Sequence, residues 1–403
     1  MPRKSQTQGG TGRHGRSGTR PRVGPLAGRL SDVPRLDPDA LLADRAVRII
    51  VCCGSGGVGK TTTSAALGLR AAESGRKVVV LTIDPARRLA QSMGLSELDN
   101  RPRAVVGVDT SRGGRLDAMM LDMKRTFDDV VESHASPEKS QQILDNPFYQ
   151  ALSSSFAGTQ EYMAMEKLGQ LHAEALQSGR WDLIVVDTPP SRSALDFLDA
   201  PDRLASFLDG RLIKLLLMPT RGPARLLSAG VNVVTNAISK VLGGQMLQDV
   251  QTFVAAIDSL FGGFRARADK TYQILKNPQT AFLVVASPDT DALREAAFFV
   301  ERLDADGMPL SGLVLNRVTT AAASGISAQA ALAAAEKLDD EHALTSALLR
   351  LQAERLARIS RERGLRRRFA AAHPTVATAT VAALASDVHD LESLREIAEL
   401  MTA

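Results

Sequence analysis

Residues 48–72 read RIIVCCGSGGVGKTTTSAALGLRAA, and the reading of this stretch decides the fold. One arginine opens an unbroken apolar run, Ile49–Cys53, of the length of a strand covered on both faces. Gly54–Thr61, GSGGVGKT, then fits G-x-x-x-x-G-K-[ST]. Gly54, Gly56, Gly57 and Gly59 allow backbone angles closed to other residues, which turns successive N–H groups toward one anion. The segment from Lys60 has helical character, and a helix starting there aims its partial positive end at the same place. Lys60 supplies a full charge for β- and γ-phosphate oxygens, and the Thr61 hydroxyl can ligate Mg²⁺. The competing reading, a glycine turn with no ligand, does not account for the strand before and the helix after. The candidate phosphate contacts are therefore Gly54, Ser55, Gly56, Gly57, Val58, Gly59, Lys60, Thr61 and Thr62.

Working outward, RIIVCC, KVVVLTID, WDLIVVDTP, TAFLVVAS and LSGLVLNR are short β-branched runs that read as doubly covered strands. Helical patterns at 60–74 and 289–304 lie between them. The alternation predicts an α/β, P-loop type domain with a largely parallel sheet flanked by helices. Two stretches break it, approximately 122–178 and 195–275, and are expected to form a helical subdomain inserted at the nucleotide edge. Within the second, Leu212, Leu215, Leu216, Leu217 and Met218 form a dense apolar cluster, readable as a client- or membrane-facing patch or as plain burial. An Arg-rich helix at 343–370, a short strand near 375–380 and a helix at 387–402 close the chain.

Composition bounds the function classes. The chain has 403 residues and a net charge of +4. Residues 1–30 hold seven Lys/Arg and no acid, so the remainder is net acidic and the basic balance belongs to the tail. We expect residues 1–44 to be a disordered basic tail and 45–403 the folded domain. No apolar run reaches the roughly 18 residues of a membrane span, and no secretory signal is visible, so the expected location is cytoplasmic, with peripheral membrane contact left open. Cys52 and Cys53 are adjacent on a strand and read as small buried residues, with no C-x-x-C for zinc. RERGLRRRFA at 361–370 reads as a solvated helix face, with no nucleic-acid partner expected.

The rest of a phosphate site should lie beyond the carboxyl ends of other strands. Asp84 follows the second strand and Asp187 another. A carboxylate there can hold Mg²⁺ or orient an attacking water, or else cap a helix or turn.

G-G-V-G-K-T-T, I-D-P-A, V-V-D-T-P-P and L-N-R together resemble the arsenical-pump ATPase (ArsA) family, which includes the ATPases that target tail-anchored membrane proteins. RIIVCCGSGGVGKTTT and AGTQEYMAMEKL are most similar to the actinobacterial anion-transporting ATPase-like paralogues of that family. The resemblance spans roughly residues 47–402. It implies ATP with Mg²⁺, hydrolysis, and a homodimer or a heterodimer with a paralogous ATPase. It further implies helices that receive a hydrophobic client or a membrane protein. By it, Asp84 orients the hydrolytic water, Asp187 senses the γ-phosphate and supports Mg²⁺ with Thr61, and Asn316 with Arg317 meets the adenine. Three positions depart from the pattern. The family's second loop lysine, which reaches into the partner's site, is Ser55 here, and the Gly-His that ends its second switch is Arg192 and Ser193.

Overall fold

A computed structural model describes residues 33–84, 88–95, 98–146, 149–150, 159–189, 266–320, 325–338 and 342–402. Eight strands form one sheet: β1 Ile49–Cys53, β2 Lys77–Thr82, β3 Arg103–Ala104, β4 Arg115–Met120, β5 Leu183–Asp187, β6 Thr280–Ala286, β7 Leu310–Val318 and β8 Thr378–Ala382. Their order is β3-β4-β2-β5-β1-β6-β7-β8. Every pairing is parallel except β3 with β4.

The five expected strands are present, and their residues show why they were readable. β1, β5 and β6 are buried along their whole length, and apart from Asp187 and Thr280 their residues are apolar. Removing each such Val, Ile or Leu side chain from water contributes roughly 1.5–3 kcal/mol. The register then sets function. Asp187, the last residue of β5, stands beside Thr82 of β2 on one side and Cys52 of β1 on the other. The carboxyl ends of the three central strands therefore finish at one level.

The described helices are α1 Pro38–Ala43, α2 Lys60–Glu73, α3 Arg88–Ser92, α4 Met123–His134, α5 Pro137–Leu144, α6 Thr159–Ser178, α7 at 266–276, α8 Thr290–Ala305, α9 Ala328–Glu336, α10 Ala343–Ala372 and α11 Leu391–Thr402. α2 crosses β2 so closely at Gly68 that an added Cβ would stand 2.5 Å from Val80 Cγ2. The expected 122–178 stretch resolves into α4, α5 and α6, with Asp122 accepting from Arg125 N as the cap of α4. A bifurcated hydrogen bond from Arg267 Nε to both Glu166 carboxylate oxygens, at 3.0 Å each, ties α7 to α6. Most of the expected 195–275 insertion, including Leu212–Met218, lies outside the described residues, as do Arg192, Ser193 and residues 1–32.

One boundary needs correction. The tail was expected to run to residue 44, yet residues 33–44 are built into the body. Asp37 caps α1 by accepting from Ala40 N, and Leu36 and Leu42 are buried. Pro34 and Leu36 bond across the edge of β8, Thr378 N donating to Pro34 O at 2.8 Å and Leu36 N to Thr378 O at 3.2 Å. The buried Arg76 guanidinium donates to Leu42 O and Val47 O, fastening the same segment to the sheet. Pro, Arg and Asp mask this short amphipathic segment in the sequence.

Candidate nucleotide-binding site

The phosphate loop is held from three directions. Gly54 has φ 147, and a Cβ there would stand 2.1 Å from Val285 O, so β6 admits only glycine at the loop's start. Gly57 and Gly59 have φ 76 and 98. Gly59 caps α2 in the left-handed region with no side-chain bond to the helix, so no side chain caps the N–H groups of the first turn, which face the loop. Lys60 Nζ folds back over the loop, donating to Gly54 O at 3.0 Å and Ser55 O at 2.8 Å. Burial lowers its pKa, while Asp187 and Asp84 pull it back up. Val58 and Ser55 are buried, and Gly56 and Gly57 are exposed.

Thr61 and Asp187 meet directly. The Thr61 hydroxyl donates to Asp187 Oδ2 at 2.7 Å, and Thr82 Oγ1 donates to the same oxygen at 2.9 Å. Asp187 is fully buried, and among the described residues its Oδ1 has no hydrogen-bond partner. Burial pushes its carboxyl pKa up to about 6, against the hydrogen bonds from Thr61 and Thr82 and the charge of Lys60. A buried oxygen with no donor calls for a proton or a cation. The carboxylate, the neighbouring threonine hydroxyl and Asp84 form an all-oxygen donor set that fits Mg²⁺, which keeps several waters and takes one or two carboxylates beside phosphate oxygens. The residues present therefore fit both a polyphosphate and its divalent cation.

Asp84 lies just past β2, its N–H donating to Thr82 Oγ1 at 3.2 Å. Thr188, next to Asp187, donates through Oγ1 to Cys52 O at 2.9 Å, pinning the segment just after β5 to β1. Cys52 and Cys53 are buried free thiols, and burial pushes the Cys52 pKa up to about 12, so neither serves as a nucleophile at neutral pH.

On the far side of the loop, Asn316 Nδ2 donates to Val58 O at 2.9 Å and Arg317 donates to Gly57 O at 2.9 Å. Arg317 has φ 59, a conformation few non-glycine residues adopt, and its N–H donates to Asn316 Oδ1. Both residues thus grip the loop itself, and one amide hydrogen of Asn316 is left over for a ligand.

Gly57, Gly59, Lys60, Thr61, Thr62, Asp84, Asn316 and Arg317 line one cavity of about 920 Å³. Asp187 lies beneath its floor. The sequence reading missed the opposite wall, residues 382–389 between β8 and α11, together with Gln91, Ser92 and Thr188. No glycine or charge motif marks 382–389. The signal that could have found it is its place just past the carboxyl end of a parallel strand.

Comparison with known proteins agrees with this geometry. Residues 47–339 match the family model described as "Anion-transporting ATPase". The chain is 26% identical over 282 residues to the ATPase ASNA1 homolog of Cryptosporidium parvum, covering 69% of this chain and 67% of that protein. It is 25% identical over 283 residues to ATPase get3 of Schizosaccharomyces japonicus, covering 69% and 76% respectively. With ATPase ARSA1 of Chlamydomonas reinhardtii it shares 24% over 311 residues, only 36% of that longer protein. On the sheet, the loop and the family match together, this chain belongs to the anion-transporting ATPase (ArsA) family of P-loop ATPases.

Proposed function

We propose that the chain is a dimeric ATP-driven switch whose nucleotide state operates a helical surface for a hydrophobic client or a membrane partner. The observation that carries this reading is the meeting of Lys60, Thr61 and Asp84 on one cavity above the half-satisfied Asp187. Gly54–Thr62 would wrap the phosphates with main-chain N–H groups, and Lys60 would add its charge at the β/γ oxygens. Thr61, Asp187 and Asp84 would hold magnesium, which when bound neutralises charge on the phosphate oxygens. Asp84 then orients a water in line with the γ-phosphorus. Asn316 and Arg317 sit where the base end of the nucleotide would lie, and they brace the loop from that side. Asp84 and Asp187 each follow a central strand, so a change at the phosphate reaches the segments that continue from them. The chain works in the cytoplasm, and any membrane contact is peripheral.

A second reading is supported by Ser55. A serine cannot supply the charge that a second loop lysine gives to a partner's site, and losing such a charge costs on the order of 10³ in rate by analogy with an arginine finger. On this reading the chain is a weakly active ATP-binding subunit paired with a paralogue that keeps the lysine. Steady-state turnover of the chain alone and mixed with such a paralogue separates the two. Fast turnover alone supports the switch as a homodimer, turnover only in the mixture supports the heteromer, and nucleotide-independent behaviour in both sinks the proposal.

A further inference from the structure

α10 is a 30-residue helix that carries two surfaces no described element covers. Leu344, Leu348 and Leu351 fall at i, i+4 and i+7, one row along the helix, and are 75%, 57% and 62% exposed. Arg355 continues the row and is exposed too. The opposite side is the packed one: Ser346 and Ala353 are buried, and Ser346 Oγ donates to Ala335 O of α9 at 2.9 Å.

The second surface is charged. Arg350, Arg358, Arg361, Arg363, Arg367 and Arg368 are exposed, and none makes an ion pair or hydrogen bond among the described residues. Some other surface arginines do stand beside carboxylates, as Arg70 does with Asp39 and Arg395 with Glu73. α10 has two acids. Glu362 is buried and accepts from Thr319 N and Oγ1, which leaves Glu354 alone to offset the arginines.

We propose that α10 docks the protein on an anionic phospholipid bilayer. Leu344, Leu348 and Leu351 enter the boundary between headgroups and acyl chains, and the arginines meet lipid phosphates. The leucine row occupies the first turns of α10, and the arginines follow it along the helix on both flanks. Among the described residues no helix is long and apolar enough to cross a membrane, so the contact is peripheral. Two other occupants fit less well. A two-fold contact with a second copy would set the same unpaired arginines against each other. A nucleic-acid backbone would satisfy the arginines and leave the leucines in water. The inference rests on α10 alone and stands apart from the reading of the nucleotide site.

The test is flotation of the full chain with vesicles of phosphatidylcholine alone and of phosphatidylcholine mixed with phosphatidylglycerol. The expected result is binding to the mixed vesicles only, weakening as salt rises. Replacing Arg350, Arg361, Arg367 and Arg368 by Gln should weaken binding roughly fivefold per charge removed. The combined change Leu344→Ser, Leu348→Ser, Leu351→Ser should abolish it, and Leu348→Ser alone should weaken it with less disturbance of the helix. No binding to the mixed vesicles at low salt overturns the proposal, as does wild-type binding by the arginine and leucine variants. Loss of self-association in the leucine variant with vesicle binding intact would assign the row to a second copy. Tight duplex-DNA binding that the arginine variant loses and the leucine variant keeps would assign the surface to nucleic acid.

Discussion

Thr61 and Asp187 stand 126 positions apart in the chain, and the Thr61 hydroxyl donates to Asp187 Oδ2 at 2.7 Å. That bond joins the first residues of α2 to the end of β5, so the glycine loop before α2 and the carboxylate at the end of β5 form one unit. Thr82 bonds the same oxygen from β2, and among the described residues the other oxygen of Asp187 has no donor. The site is built with half of one buried carboxylate open to a proton or a cation.

This predicts a pH-dependent stability effect. Burial raises the Asp187 pKa from 3.8 to about 6 in the folded chain. The folded state therefore binds more protons than the unfolded state between those values. The group's contribution to stability is fully present below the unfolded pKa and is lost as pH rises through about 6. Above that, burying the ionised form costs on the order of 3 kcal/mol. Denaturant unfolding of Asp187→Asn and wild type, without nucleotide or magnesium, should show the difference moving in the variant's favour by about that amount between about pH 4 and about pH 7.5. The variant should also lose magnesium-dependent nucleotide binding. A difference that does not change with pH would contradict the burial argument.

The loop glycines should separate by environment. Gly54→Ala puts a Cβ 2.1 Å from the Val285 carbonyl, which belongs to a central strand and cannot yield. Gly57→Ala meets nothing within 4 Å and suffers only its φ of 76. Backbone strain in the second case costs about 1 kcal/mol, whereas the first adds displacement of β6 and should cost several-fold more. Urea unfolding of the two variants measures the contrast, and equal losses would count against the close approach of loop and strand.

Asn316→Ala should loosen the loop from its far side. The change leaves the Val58 carbonyl, now bonded by Asn316 Nδ2, without its donor. A cost of about 1–3 kcal/mol in stability is expected, with nucleotide affinity falling about tenfold. Calorimetric titration of the variant checks this. Unchanged affinity would show that Asn316 neither braces the loop nor meets the base.

Much of this was legible in the sequence because the chemistry and the fold use the same residues. The phosphate loop needs glycine at Gly54 and Gly59 and a fixed Lys-Thr after it, so it is written as a motif. The central strands are apolar on both faces, so they appear as runs. β4 escaped because Asp117 interrupts its run. That carboxylate is buried only because Trp181 Nε1 donates to it at 2.9 Å and Arg115 and Arg180 pair with it, partners that sequence order does not reveal. Asn316 and Arg317 were identified from the family pattern, but their grip on Val58 and Gly57 follows from the adjacency of β7 and the loop in space. Residues 382–389 have no such pattern, since a cavity wall made by chain direction leaves little trace in residue type.

Ser55 yields a prediction about rate. If the missing lysine limits hydrolysis, Ser55→Lys should raise the turnover of the purified chain, by up to about 10³ if the restored charge acts like an arginine finger. Ser55 is buried, so the new side chain must leave through the open side of the loop at Gly56 and Gly57. Steady-state phosphate release is the measurement. No gain in a chain that already turns over quickly would remove the argument for a lysine-bearing partner.

The most direct test of the nucleotide site is isothermal titration of ATP with magnesium into the full chain and into Lys60→Ala. The account predicts one saturable site per wild-type chain, dependent on magnesium and lost or weakened at least tenfold in the variant. Absence of binding to the wild-type chain, or equal binding by Lys60→Ala, would contradict it.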